Sequence, residues 1–247
     1  MKKDSGEVDL KLSSCLLTNV SICETTQKDR FLVVIHNPLS RVVSHYVHLP
    51  VEGDSYKITG PDGDELYDIF DTIHSFDYVK ESVKPASREL VFVARDLPAL
   101  GIKVYYVEKT TQESEYKPFK ELTDEDDGKF GTESNGFTVD PKTGKLATVT
   151  INGAKQDISQ EFLYYPSYTD GTSGDHRSSG AYIFRPAANV ATPMTTQPFE
   201  SIKFVKGNLV DELIQVINPE VTQIIRSYKA TEEPYVEFDW LVGDIQM

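Results

Sequence analysis

A chain of 247 residues with an apolar share of 39% can bury one large core or two ordinary ones, so disorder is not the expectation. Its formal net charge of −14, with no cluster of Lys and Arg, excludes a phosphate-binding surface and with it a nucleic-acid partner. No stretch approaches the roughly 20 consecutive apolar residues of a membrane span, and residues 1–12 lack the apolar run of a signal peptide. Taken literally, that opening describes a cytosolic chain.

The first signal along the chain argues for a different compartment. The two cysteines, Cys15 and Cys23, lie eight positions apart and can close a small loop, and Asn19-Val20-Ser21 inside it satisfies the N-glycosylation pattern. A disulfide and a glycan point to an oxidising lumen; two buried free thiols beside a chance sequon are the alternative. Strand signals then dominate. Phe31–Ile35 is a continuous apolar run ended by Asn37-Pro38, and Val43, His45, Val47 and Leu49 alternate on one face until Pro50, where a strand is expected to stop. Tyr56–Thr59 precedes the turn Gly60–Gly63, and Glu89–Arg95 and Gly101–Glu108 supply two more strands. Strands and turns at this spacing predict an immunoglobulin-like β-sandwich over residues 31–112.

Between Thr110 and Gly131 the composition turns charged, with Glu121, Asp124, Glu125, Asp126 and Asp127 crowded before Gly128, and residues 113–131 read as an acidic linker. These carboxylates lack the alternating positions and the twelfth-position glutamate of a calcium loop, so they read as a solvated surface. Phe137–Val139, the turn Asp140–Gly144 and Lys145–Ile151, leading into Asn152-Gly153, form a hairpin signal. Further strands are expected at Gly180–Phe184, Phe199–Val205, Asn208–Ile217, Val221–Tyr228 and Tyr235–Val242, together a large sheet. The Gly- and Ser-rich loop Asp170–Gly180 interrupts them, and loops on a β-scaffold are where binding groups sit. The fold class is therefore all-β.

Five segments in chain order carry a resemblance: Cys15–Cys23 around Asn19, Val34–Leu39, Asn135–Gly144, Ser179–Pro186 and Val236–Gly243. Through them nearly the whole chain is similar to the middle of the α-mannosidases of glycoside hydrolase family 38, and Arg185 resembles the lysosomal branch, since Golgi relatives tend to carry an apolar residue there. The resemblance implies that residues 1–30 are the tail of a helical bundle with its disulfide loop, and that residues 31–112 are the sandwich. It implies that residues 132–247, after the linker, open a large galactose-mutarotase-like β-supersandwich. It also implies a glycosylated hydrolase of the lysosome or the secretory route, acting on the α-mannosides of N-linked glycans.

Such enzymes hydrolyse with retention: one carboxylate attacks the anomeric carbon, a second carboxyl protonates the leaving oxygen, and zinc grips the sugar hydroxyls. In the family these groups precede the position matching Met1, so the resemblance implies a catalytic domain as partner and neither zinc nor nucleophile in this chain. It likewise implies that strands completing the second sheet follow the position of Met247. The residues themselves agree with that expectation. His45 and His48 are three apart in a strand and point to opposite faces, while His36, His74 and His176 stand without a ligand-spaced neighbour. For substrate contact the candidates are Asp175, Arg177 and Tyr182, because Arg offers a fixed fork of donors and Tyr a flat face with a hydroxyl. Against this, Tyr182 can be a core aromatic of its strand and Arg177 a solvated loop charge. A stand-alone carbohydrate-binding or scaffold protein built from the same domains is the competing function.

Overall fold

The computed structural model describes residues 12–15, 23–71, 86–169, 171, 177–180, 182–194, 199–230 and 233–243. The first strands are β1 (Arg30–His36), β2 (Val43–Val51), β3 (Tyr56–Gly60), β4 (Gly63–Asp64), β5 (Tyr67–Asp71), β6 (Arg88–Leu97) and β7 (Ile102–Lys109). Within the acidic segment lie β8 (Tyr116–Lys117), β9 (Lys120–Glu121) and β10 (Lys129–Gly131). Then come β11 (Gly136–Val139), β12 (Leu146–Ile151), β13 (Ala154–Asp157), β14 (Leu163–Tyr164) and β15 (Thr192–Pro193). The last are β16 (Ser201–Lys206), β17 (Val210–Asn218), β18 (Val221–Tyr228) and β19 (Val236–Val242). The protein is all-β, as its alternating and β-branched segments predict.

Four of the sheets stack in layers, and the layer order follows from which side chains meet. The first sheet has strand order β1-β7-β3-β4 and the second β2-β6-β5-β8. Phe31, Tyr56, Ile58, Tyr105 and Val107 of the first pack on Val51, Ile69, Leu90, Phe92 and Leu97 of the second. The other face of the second sheet, with Tyr46, Phe70, Val91 and Val93, packs on Val205, Leu209, Val210 and Tyr228. Those belong to a third sheet, ordered β19-β18-β17-β16-β9, or to its β16–β17 turn. Its far face, with Phe204, Leu213 and Ile225, meets Phe130, Phe137, Val139 and Leu146 of a fourth sheet, β10-β11-β12-β13.

Layering explains the two most apolar runs. In β6, Leu90 to Ala94 are all buried because alternate residues face the first and the third sheet. In β18 all eight residues are buried for the same reason. Each fully buried Phe, Leu or Ile contributes about 1.5–3 kcal/mol of transfer free energy. Asn152-Gly153 forms the tight turn from β12 to β13, and its positive φ values of 51° and 77° suit this residue pair.

Two local expectations are corrected. Pro50 does not end β2, which runs on to Val51, with Pro50 opposite Glu89. Since β2 is an edge of its sheet, the missing proline N–H breaks no ladder bond on its open side. Gly180–Phe184 is not a strand either; Gly180 and Ile183 exchange backbone bonds across a tight turn. The acidic segment crosses between layers: β8 pairs in parallel with β5, and β9 pairs with β16. Its carboxylates cap turns, Asp126 accepting from Thr123 N and Oγ1 and Asp127 from Lys129 N.

The second and third sheets are joined by a charged anchor as well as by apolar contact. Asp68 of β5 is buried, and its carboxylate accepts hydrogen bonds from the backbone N–H groups of Asn208 (2.8 Å), Leu209 (2.7 Å) and Val210 (3.3 Å). Lys117 Nζ lies 3.2 Å from its Oδ1. Beside it, the Tyr46 hydroxyl accepts from Ala230 N at 2.7 Å, and its ring packs 4.2 Å from that of Tyr228. A side chain at Gly207 would collide with Asp68 Oδ2, Val210 O and the Phe70 ring, so the turn approaches the carboxylate only because glycine stands there.

Replacing Asp68 by Ala leaves three amides without an acceptor, and we expect a loss of about 3–5 kcal/mol in urea unfolding. Gly207→Ala is expected to cost about 1–3 kcal/mol by overpacking. Asp64→Ala, at an exposed carboxylate, should leave the unfolding midpoint nearly unchanged, and equal effects at Asp64 and Asp68 would count against the anchor.

Candidate functional site

The loop between β13 and β16 is built as a ladder of short pairings. At its base β14 pairs with β15, and Met194 N donates to Phe162 O at 2.8 Å. Above this, Ala187 N donates to Pro166 O (2.7 Å) and Tyr168 N to Arg185 O (3.0 Å), around a bridge between Ser167 and Pro186. Ser179 N then donates to Tyr168 O at 3.0 Å. The tip is closed by Gly180 N to Ile183 O (3.0 Å) and Ile183 N to Gly180 O (3.3 Å). Gly180 and Ile183 thus close a turn, and Tyr182 stands at its tip.

Side chains hold that apex in place. Ser179 Oγ donates to Arg185 O at 2.6 Å and accepts from Arg185 N at 2.7 Å, so one hydroxyl ties both flanks of the turn. The Arg185 guanidinium lies 4.9 Å from the centroid of the Tyr168 ring and donates from Nη1 to Arg177 O at 3.1 Å. Tyr165 and Phe184 meet edge to face at 5.5 Å. Asn218 Nδ2 reaches Met194 O at 3.4 Å and links the base of the loop to β17.

Tyr182 is not a core aromatic: its exposure is 101%, and Phe184 beside it is 74% exposed. A tyrosine held by a braced turn with nothing covering it presents a flat apolar face and a hydroxyl to whatever docks there. That geometry suits a sugar ring, whose apolar C–H face stacks on an aromatic while its hydroxyls take hydrogen bonds. Arg177 lies on the same loop, with its backbone oxygen on Arg185 and its side chain exposed. Asp175, the third residue expected here, and His176 lie outside the described residues, as do His74 and Asn19.

A zinc ion finds no ligand among the described residues of this stretch. Residues 177–180 and 182–194 contain no His, Cys, Asp or Glu, and the two guanidinium groups, Arg177 and Arg185, repel a cation. His36 and His45 are exposed on their strands, whereas His48 faces the third sheet between Glu89 and Tyr228. Cys15 and Cys23 form a disulfide with a Cα–Cα distance of 5.2 Å, so these cysteines are not free thiols.

Sequence reasoning found Tyr182 through its motif but not its exposure. A braced turn and a buried strand both present as Gly, aromatic and β-branched residues in alternation. The separating signal is the pairing of Ser179 with Arg185 across six positions, which leaves too few residues for a strand.

We expect Tyr182→Ala to change unfolding free energy by less than about 0.5 kcal/mol. Tyr46→Ala, at a buried ring, should cost about 3–5 kcal/mol. Urea titrations of the two variants check this, and a large loss at Tyr182 would return it to a structural role.

No family model matches the chain. Its sequence is similar to the lysosomal α-mannosidase of Bos taurus, 31% identical over 236 residues that make up 94% of this chain and 21% of the relative. The lysosomal α-mannosidase of Homo sapiens is 31% identical over 239 residues, 94% of this chain and 22% of the relative. The α-mannosidase of Canavalia ensiformis is 26% identical over 252 residues, 94% of this chain and 25% of the relative. The chain therefore spans about one fifth to one quarter of the length of these curated relatives.

Proposed function

We propose that this chain, related along nearly all its length to part of the lysosomal-type α-mannosidases, is the β-rich portion of a family 38 glycosidase and lends Tyr182 to its sugar cleft. The exposure of Tyr182 at the tip of a braced turn is the observation that carries this reading. Its ring is to stack on a mannose face and its hydroxyl to bond a sugar oxygen, with Asp175 and Arg177 on the same loop as further contacts. The carboxylate nucleophile, the acid and the zinc of a retaining α-mannosidase are to come from a catalytic domain outside this chain, on N-linked glycan substrates.

In this reading residues 31–112 correspond to the family's immunoglobulin-like sandwich, 113–131 to a connecting segment and 132–247 to the opening of its β-supersandwich. Residues 1–30 then correspond to the tail of a helical bundle, and Asn19 carries a glycan. The Cys15–Cys23 disulfide and the lysosomal relatives support an oxidising, lysosomal or secreted setting. The outer face of the first sheet supports a neighbouring domain: Leu32 opposite Tyr106 and Val34 opposite Val104 make an exposed apolar patch.

The chain alone is expected to bind methyl α-mannoside weakly, with Kd at or above about 1 mM, and to show no turnover of a chromogenic α-mannoside with or without zinc. Tyrosine-selective NMR should report Tyr182 as a perturbed ring, and Tyr182→Ala should abolish the response. In the enzyme with its catalytic domain, Tyr182→Ala should lower kcat/KM about ten-fold, about 1.4 kcal/mol of transition-state binding. Zinc-dependent turnover by the isolated chain would overturn the division of labour. Micromolar binding without any effect of Tyr182→Ala would favour a carbohydrate-binding or scaffold protein instead.

A further inference from the structure

The junction of the second and third sheets holds ionisable side chains that the sugar-facing loop does not use. His48 of β2, Glu89 of β6 and Glu212 of β17 present ligand atoms that all lie within 4.8 Å of one another. Arg226 of β18 is the neighbouring cation. Its Nε donates to Glu212 Oε1 at 3.1 Å and its Nη1 to Glu237 Oε1 at 2.7 Å, with Asp239 Oδ2 at 3.4 Å. Glu212, Glu237 and Asp239 thus share a single guanidinium, while Glu89 faces His48, at a largely buried junction.

Two features show where positive charge is wanting. Glu212 is fully buried; its Oε1 is held by Arg226, but its Oε2 has no hydrogen-bond partner. The second feature is the histidine. Tyr228 donates its hydroxyl proton to Glu237 Oε1 at 3.2 Å, so its oxygen accepts from His48 Nε2–H at 3.1 Å. In neutral imidazole this network assigns the proton to Nε2 and leaves Nδ1 a bare lone pair. That lone pair faces Glu89 Oε1 at 3.4 Å, and the Glu89 carboxylate, working against burial, raises His48 above its usual range, so Nδ1 calls for a cation, either a proton or a metal ion.

We propose that His48 Nδ1, Glu89 and Glu212 bind a divalent ion of the zinc class that clasps the second sheet to the third. One imidazole with two carboxylates is a donor set that zinc takes and that the hard ions calcium and magnesium do not favour. Bonds of about 2.0–2.1 Å put the donors of a tetrahedral ion about 3.4 Å apart. The His48–Glu89 separation already has that value, and rotation of the carboxylates closes the rest. The Tyr228 hydroxyl on Nε2 and Arg226 on Glu212 Oε1 are the outer partners that orient such ligands. The side chains of His48 and Glu89 are 23% and 20% exposed, so an ion enters from the rim. This site does not rest on the α-mannosidase reading, and it is separate from the Tyr182 loop.

The test uses the untagged 247-residue chain with its disulfide intact, stripped by chelator and titrated with Zn²⁺ alone and with Co²⁺ alone. One Zn²⁺ per chain should bind and raise Tm by about 5 °C at saturation. Co²⁺ should give visible absorption bands of a low-coordinate nitrogen–oxygen site. His48→Gln and Glu212→Gln, confirmed as folded by near-UV circular dichroism, should each weaken binding at least about ten-fold and remove the bands. Glu89→Gln, at a ligand on the rim, serves the comparison if the other variants do not fold. Absence of saturable binding, or unchanged binding in the folded variants, refutes the site. So does a protonated His48 Nδ1 by NMR at pH 7.5 in excess Zn²⁺, which would show that a proton fills the gap.

Discussion

A single carboxylate, Asp68, takes the three N–H groups that open the β16–β17 turn, and the stacking of the second sheet on the third depends on that contact. Backbone amides at a tight turn have no ladder partner, and burying them without an acceptor is costly. With Asp68 in place the turn can lie against β5, and the apolar residues around it, Phe70, Val91, Leu209 and Val210, close over the contact. Once this interface exists, β6 is covered on both faces and β17 and β18 become interior strands. The fourth sheet then has a platform on the far face of the third. The loop from β14 to β15 is tied to β17 through Asn218, and its own ladder of bonds keeps Tyr182 in a set place.

The far face of the third sheet shows a second constraint, polar rather than charged. Gln223 donates to Gln215 Oε1 at 2.6 Å and exchanges bonds with Gln160, while Trp240 Nε1 donates to Gln223 Oε1 at 2.6 Å. Gln215 in turn donates to Gly144 O, so the network ties β17, β18 and β19 to the turn before β12. Buried amides bonded in this way fix register, because a slip of one residue would leave each of them without a partner.

Much of the fold was legible from pattern alone. Val221–Tyr228 reads as a strand and forms one with the same bounds, since its β-branched residues lie between the turn at Asn218 and the polar stretch after Tyr228. Asn152-Gly153 reads as a hairpin turn because few other pairs tolerate two positive φ values. Pro50 misled because its effect depends on which side of β2 is open, and strand order is a tertiary fact. Gly180–Phe184 misled because alternation looks alike in a strand and in a short closed turn. Asp68, and the meeting of His48, Glu89 and Glu212, left no sequence signal. Their partners lie on strands far apart along the chain, and among many carboxylates no spacing rule selects them. Of the expected sugar contacts, Tyr182 and Arg177 share one loop, and only the three-dimensional turn reveals that the tyrosine is uncovered.

The reach of Asp68 also bears on how the nascent chain folds. Its first backbone partner, Asn208, is 140 residues further along. The last strand of the first two sheets ends at Lys117, 91 residues before Asn208, so at a synthesis rate of about 5–20 residues per second they can assemble about 5–18 s before that partner is made. Throughout this interval the outward face of the second sheet, with Tyr46, Phe70, Val91 and Val93, lacks the third sheet that covers it in the finished fold. A face of that kind is what holdase chaperones bind, so the early sandwich is the stage at which the growing polypeptide most needs shelter.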